Sequence, residues 1–329
     1  MLLVLVEHDR GVLAEASLEA LTVGSTLAAQ LSIPFAAVAL TDALINIESV
    51  SEACAAYGVA ELHAGTHAML ADFGPEAWGS ALAQVAAATN AAVVLATGTD
   101  RGNEVLAQFA ARADLPFVAN CLEITPGLLT TDAWSITRSR WGGSLLEEGS
   151  LTASVRVLSI AHHGVEAIAA EVASSPVVAT HEVAIEPAFA RTVVADRVVR
   201  TSGLTLSTAR VVVGGGRGVG SPEGFSVLED LAEALNGMVG CSRAVTNNGW
   251  RPHTDQVGQT GTRIAPDIYL ACGISGAIQH WVGAMASKKI LAINTDPEAN
   301  MVSRADYAVI GDLHTVVPAI AAEVRRRKG

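Results

Sequence analysis

Short, unbroken apolar runs alternate with longer Ala/Leu-rich segments of helical spacing along this chain, and that alternation restricts the fold more than any other feature. Leu2 to Val6, Phe35 to Leu40 and Ala91 to Ala96 contain no regular polar alternation, so they read as strands buried on both faces. Leu13 to Gln30 and Ala77 to Thr89 lie between them with helical periodicity. Strand, helix, strand, helix predicts a mostly parallel sheet with helices on both sides, a three-layer α/β domain. Near Leu115-Pro116-Phe117 the texture changes. From Cys121 to about Arg200 the β-branched stretches Ser135 to Arg138, Ser154 to Val157 and Thr192 to Val194 predict antiparallel strands only partly covered by helix.

After Arg200-Thr-Ser-Gly203 a new strand–helix series begins, which places a domain boundary between residues 1–203 and 204–329. A chain of 329 residues has room for two such cores. The second series predicts strands Val211 to Val213, Met238 to Ser242, Ile268 to Ala271, Ile290 to Asn294 and Tyr307 to Ile310. Helices are expected over Gly224 to Asn236, Ile278 to Met285 and Leu313 to Arg327, giving a compact, doubly wound α/β domain.

Several function classes are disfavoured. With 33 acidic against 21 basic residues the net charge is -12, which repels nucleic acid and anionic lipid. No apolar stretch reaches the roughly 18 residues of a membrane span, so no membrane insertion is expected. Cys54, Cys121, Cys241 and Cys272 are far apart and form no C-x-x-C pair; they read as core residues in a reducing cytoplasm. The opening run lacks a basic flank and reads as a strand, not a secretory signal. Arg325-Arg-Arg-Lys328 closes a predicted helix, where cations offset the helix dipole.

Between Gly214 and Gly283 lie 14 of the 30 glycines, so close backbone approaches concentrate there. Val213-Gly-Gly-Gly-Arg-Gly-Val-Gly220 follows a predicted strand and precedes a predicted helix, a place for a phosphate. Neither G-x-G-x-x-G nor the P-loop spacing fits these residues, and Ser242-Arg243 stands where an NAD site would carry an acid. Gln256-Val-Gly-Gln-Thr-Gly261, Gly273-Ile-Ser-Gly-Ala-Ile-Gln-His280, Asn294-Thr-Asp296 and Gly311-Asp312 also sit at or after strand ends. An open parallel sheet presents its ligand at that edge.

Gly215-Gly-Arg-Gly218, Cys241-Ser-Arg243, the 256–261 and 273–280 loops, Asn294-x-Asp-Pro-Glu298 and Ala305-Asp-Tyr307 occur in an order that resembles the alpha subunit of electron transfer flavoprotein. The resemblance is close through the second domain; in the first it extends to length, opening strand and texture. It implies a bound FAD, a beta-subunit partner in a heterodimer, and an electron carrier without substrate turnover of its own. Electrons would come from flavin dehydrogenases, such as the acyl-CoA dehydrogenases of fatty-acid oxidation, and pass to a quinone oxidoreductase or similar acceptor. Carried onto this sequence, it puts Arg217 at the phosphates or ribose, Ser242 and Arg243 at the flavin, and Thr260 near flavin N5. Gln256, Val257, Gly258, Gln259 and Gly261 complete that loop. Ser275, Gly276, Ala277, Ile278 and Gln279 would line the ring and pyrophosphate with His280 toward O2, while Asn294, Asp312 and Leu313 would hold the adenosine end. Thr295 departs from the Lys common in the family, which touches only a peripheral contact.

The residues read on their own are compatible with a carrier. Arg243, Thr260 and His280 supply donors and a cation of the kind that favours an anionic reduced flavin. His63-x-x-x-His67 and His162-His163 have no third ligand nearby in sequence and read as surface or core histidines. A nucleotide-dependent oxidoreductase of the deoxyhypusine synthase or thiamin-enzyme central-domain type shares the second architecture but needs a substrate base. A sensor with a vestigial flavin site is the third reading, against which the intact motifs weigh.

Overall fold

The architecture comes from a computed structural model, which describes residues 1–127, 132–141, 145–189, 191–195 and 204–328. The chain divides into two compact units, Met1–Val198 and Val199–Gly329. The expected boundary at 203/204 and the end of the stretch reaching to Arg200 fall on or beside 196–203, outside the described residues.

The first unit opens with β1 (Leu2–Leu5), a short antiparallel ribbon of β2 (His8–Asp9) and β3 (Val12–Leu13), and α1 (Ala16–Leu31). There follow β4 (Phe35–Thr41), α2 (Glu48–Ala55), β5 (Glu61–Thr66), α3 (Pro75–Ala88), β6 (Val93–Thr97) and α4 (Asp100–Ala113). The last elements are β7 (Phe117–Thr125), β8 (Trp134–Arg140), β9 (Leu145–Leu151), β10 (Arg156–Ile160) and β11 (Val177–Glu182). They make one nine-stranded sheet in the order β11-β5-β4-β1-β6-β10-β7-β8-β9. Leu2, Val4 and Val6 point into a core shared with α1 and α2, while Leu3 and Leu5 point into a second core under α3 and α4. A strand with an apolar side chain on both faces must be covered twice, which is why these runs lack polar alternation.

The expected antiparallel stretch holds only for β7, β8 and β9. β10 instead runs parallel to both β6 and β7, with all five residues buried, and β11 runs parallel to β5 at the sheet's edge. β-branched composition favours strands without fixing their direction, and the partners of β10 come from distant parts of the chain. Thr192 to Val194 forms no strand. All four cysteines are buried and unbridged.

The second unit contains β12 (Val211–Gly215), α5 (Ser226–Ala234), β13 (Met238–Cys241), α6 (Arg243–Asn247), β14 (Ile268–Cys272) and α7 (Ile278–Ala284). It closes with β15 (Ile290–Asn294), α8 (Asn300–Arg304), β16 (Tyr307–Ile310) and α9 (Leu313–Lys328). Its five strands are all parallel in the order β13-β12-β14-β15-β16. Val213, Leu270 and Ile293 pack under α5 and α9, while Val212, Tyr269 and Ala292 pack under Ala284 of α7 and Met301 of α8. The sheet is therefore doubly wound. Among the described residues no helix is long and apolar enough to cross a membrane.

Candidate functional site

The chain leaves β12 toward β13 on one side and later returns through β14 on the other, so the crevice beyond the carboxyl ends of β12 and β14 is a topological switch point. Register brings the strand ends level: Gly215 lies opposite both Cys241 and Cys272, and Cys272 lies opposite Ile293. The loops that begin at Gly216, Ser242, Gly273 and Thr295 consequently leave from one edge. Between them is a cavity of about 670 Å³, within the size range of small-molecule and cofactor sites.

Glycine permits this edge to close. A Cβ on Gly218 would stand 2.7 Å from the Gly273 Cα, and one on Gly273, whose φ is +61°, would stand 2.8 Å from the Gly218 Cα. The two loops touch backbone to backbone, joined by Gly218 N–H donating to the Gly273 carbonyl at 3.1 Å. As expected, the glycine-rich turn follows a strand and precedes a helix, with a 3-10 turn at Arg217–Val219 inside it; α5, which begins at Ser226, does not itself line the cavity.

Arg217 and Arg243 both line the cavity, and neither side chain has an ion-pair or hydrogen-bond partner among the described residues. Arg251, outside the cavity, is held by both Glu229 and Asp255. Two unpaired guanidinium groups in one concave wall give it an anion-seeking character. Ser242, Val257, Gly258 and Gln259 line the same space. Gln256 lines it from a buried position, at 2% exposure. Its amide oxygen accepts from the Thr246 hydroxyl at 2.9 Å, and its Nε2 donates to Thr260 Oγ1 at 2.9 Å. Thr260 thus receives one hydrogen bond from behind, which leaves its own O–H for the cavity.

His280, on α7, is 6% exposed and also lines the cavity, beside Gly258. Its Nε2 is 2.8 Å from the Tyr269 hydroxyl, while Nδ1 is buried without a partner. Burial pushes the imidazole down to about 4, so it is neutral at physiological pH. Of the three groups expected to favour a reduced flavin, Arg243 alone is the cation; His280 acts as a neutral group.

Ser275, Gly276, Ala277 and Gln279 also line the cavity, whereas Ile278 and Gly261 do not. Gly261 is used structurally, where a Cβ would strike the backbone of Gln256. Asn294 lines the cavity, but its amide is engaged: Nδ2 donates to the Ile274 carbonyl at 3.1 Å and Oδ1 accepts from Asp296 N–H at 3.1 Å. It ties the β14 and β15 loops together. Asp312 caps the next helix by accepting from His314 N–H at 3.0 Å, and Leu313 is buried in the core at 4% exposure. Neither lines the cavity. Asn247, Gly273 and Asp296 do, without having been singled out individually. Asp296 sits in a quoted motif, whereas nothing local marks Asn247.

His162 and His163, left without a third ligand in sequence, find one in the fold. Glu19 on α1 lies beside His162 and His163, just beyond β10: Oε2 accepts from His163 N–H at 2.8 Å, and Oε1 is 3.8 and 3.7 Å from the two imidazoles. Burial pushes the Glu19 carboxyl up to about 7. The imidazoles stack at 3.7 Å with 24° between their planes, so the group ties α1 to the end of β10. His63 is likewise accounted for by His181 Nε2, 3.0 Å from its Nδ1.

Comparison with known proteins bears on the whole chain. The family described as "Electron transfer flavoprotein domain" matches residues 2–186, and "Electron transfer flavoprotein FAD-binding domain" matches residues 205–285. Electron transfer flavoprotein subunit alpha of Mycobacterium leprae is 34% identical over 327 residues, 99% of each chain. The protein of the same description from Mycobacterium tuberculosis is 35% identical over 331 residues, again 99% of each. That of Paracoccus denitrificans is 37% identical over 231 residues, 70% of this chain and 72% of the relative.

Proposed function

The chain belongs to the electron transfer flavoprotein alpha-subunit family, and on that premise we propose that it carries electrons between flavin dehydrogenases and a quinone oxidoreductase, paired with a beta subunit. Its cofactor is FAD. The observation that carries the proposal is the convergence of Arg217, Arg243, Thr260 and His280 on one cavity, with both guanidinium groups unpaired among the described residues. Unpaired cations in a concave wall suit an anionic ligand such as a dinucleotide.

Bound there, FAD supplies the one-electron chemistry a carrier needs. The chain's part is binding and electrostatics. Arg217 would meet the phosphates or ribose, Arg243 would lie at the isoalloxazine, Thr260 would stand near N5, and His280 toward O2. Gln256 acts on Thr260 from behind; Asn294 fixes the loops toward the adenosine end, with Asp312 and Leu313 beyond it. The cation and donors lower the energy of negative charge gained on reduction. Nothing in that inventory requires a substrate to be turned over by this chain.

Co-expression with a beta subunit of the same family tests the reading. A complex showing a flavin spectrum and shuttling electrons from a reduced acyl-CoA dehydrogenase to a quinone oxidoreductase supports it. A purified heterodimer that lacks flavin, or holds flavin but passes no electrons from any flavin dehydrogenase, refutes it.

A further inference from the structure

We propose that Glu19, His162 and His163 form a divalent metal site in the first unit, suited to a zinc-type ion, which bridges α1 and the turn after β10. The site stands apart from the flavin assignment: all three residues belong to the first unit, and none lines the cavity of the second. In the first sheet β4 and β5 lie on one side of β1, while β6 and β10 lie on the other. The carboxyl edge at such a switch is where an open α/β sheet carries its ligands. His162 and His163 begin two residues after β10 ends, and Glu19 sits in the first turn of α1, the helix that follows β1.

The backbone brings the two imidazoles together. Ala161 N–H donates to the Cys121 carbonyl at 2.7 Å and Gly164 N–H to the Ala161 carbonyl at 2.8 Å, so both histidines lie in one tight turn anchored on β7. His163 takes a φ of +61°, a left-handed conformation that costs energy in any residue but glycine. In extended chain consecutive side chains point to opposite faces. The left-handed residue breaks that alternation, and the two rings stack.

The carboxylate is aimed as well. Glu19 Oε2 accepts from His163 N–H at 2.8 Å, which leaves Oε1 toward the rings, 3.8 Å from His162 Nε2 and 3.7 Å from His163 Nδ1. Among the described residues Oε1 accepts no hydrogen bond and no Lys or Arg pairs with Glu19, although its side chain is only 9% exposed. A buried carboxylate oxygen without donor or cation is costly, and an ion seated between it and the imidazoles removes the cost. Ligand atoms around a tetrahedral zinc, bonded at about 2.0–2.2 Å, stand roughly 3.3–3.6 Å apart. The distances from Oε1 therefore need to close by only a few tenths of an ångström. One ring must also turn out of the stack, because stacked imidazoles aim their in-plane nitrogens side by side; both are partly exposed, which gives the ion its entry. Two imidazoles and a carboxylate are a zinc donor set with a fourth position left for water, whereas magnesium and calcium take oxygen ligands.

The test titrates zinc chloride into the full-length chain paired with its beta subunit, after removal of metal with a chelator. The proteins are wild type, Glu19→Gln, His162→Ala and His163→Asn, the last chosen because Asn tolerates the left-handed backbone. By calorimetry wild type should take up one equivalent of zinc that each variant binds at least about tenfold more weakly, since loss even of an outer partner costs that much. Zinc should raise the melting temperature of wild type and leave those of the variants in place. X-ray absorption at the zinc edge of wild type loaded with one equivalent should show two imidazole ligands. A wild-type spectrum without them overturns the proposal even if no variant folds. Equal affinity in wild type and folded variants would mean adventitious zinc only, and also overturns it.

Discussion

At the scale of single residues, the site separates groups that face the cavity from groups that aim them. Arg217 and Arg243 are cations without a partner among the described residues, so their field is available to a bound anion. Replacing Arg243 with Ala should leave the fold intact, because its side chain has no ion pair or hydrogen bond to lose, yet lower the first flavin midpoint potential. A charge-assisted hydrogen bond contributes roughly 1.5–3 kcal/mol, which corresponds to about 65–130 mV for one electron as an upper bound. Solvent around an exposed guanidinium reduces this to tens of millivolts. Arg243→Lys should recover part of the charge effect but not the planar contact. Spectroelectrochemical titration of the three proteins measures this, and identical midpoints would mean that Arg243 does not sense the flavin charge. Quoted motifs made most cavity-lining residues legible in the sequence. They did not show that Gln256 supports Thr260 from behind, because that role depends on the placement of Thr246 on α6.

Between elements, the decisive contacts are backbone meeting backbone and charge meeting helix. Gly218→Ala would drive a Cβ into the Gly273 backbone, which cannot yield as a flexible side chain could. The loops of β12 and β14 would have to separate, at a cost on the order of 1–3 kcal/mol. Weaker FAD retention and a lower unfolding temperature are expected, as seen by flavin release on dilution and by calorimetry; native values for both would show that the loops part freely. In the first unit, Glu19 links α1 to the residues after β10. Its folded-state value of about 7 lies above the ordinary 4.5, so the folded chain holds the extra proton between these limits. Its contribution to stability is complete below about 4.5 and is lost as pH rises through about 7. Glu19→Gln, neutral throughout, should therefore gain in melting temperature relative to wild type as pH increases across that window. The opposite trend would show that the ionised carboxylate is held by protonated His162 or His163.

For the whole molecule, the resemblance and the cavity point to a division of labour. The cavity described above is lined only by residues from 216 to 299, all in the second unit. If a protease site is inserted between Val198 and Val199 and cut in the assembled heterodimer, flavin should remain with the 199–329 fragment on separation. Flavin that follows residues 1–198 would contradict that assignment. The first unit is proposed as the partner interface, and exposed Trp141, Leu145 and Leu146 at β8 and β9 are surface for such a contact. Their replacement by polar residues should raise the heterodimer's dissociation constant without altering the flavin spectrum of intact complex, as light scattering and absorbance would show.

The sequence by itself determined the buried strands, the two α/β series and the glycine-rich loops, because each is written in neighbouring residues. Leu2 to Val6 needs cover on both faces whatever lies beside it. Gly218 and Gly273 mark close approaches before their partners are known. Tertiary structure alone decided which strands became neighbours and in which direction: β10 lies parallel between β6 and β7 because its hydrogen-bond partners come from remote segments. It also decided what the polar residues face. Glu19 meets His162 and His163 across 143 and 144 positions, and Tyr269 meets His280 because β14 and α7 pack together. Helical and strand periods report which side of an element is buried, but the donor or acceptor on that side acquires its role only from the group the fold sets against it.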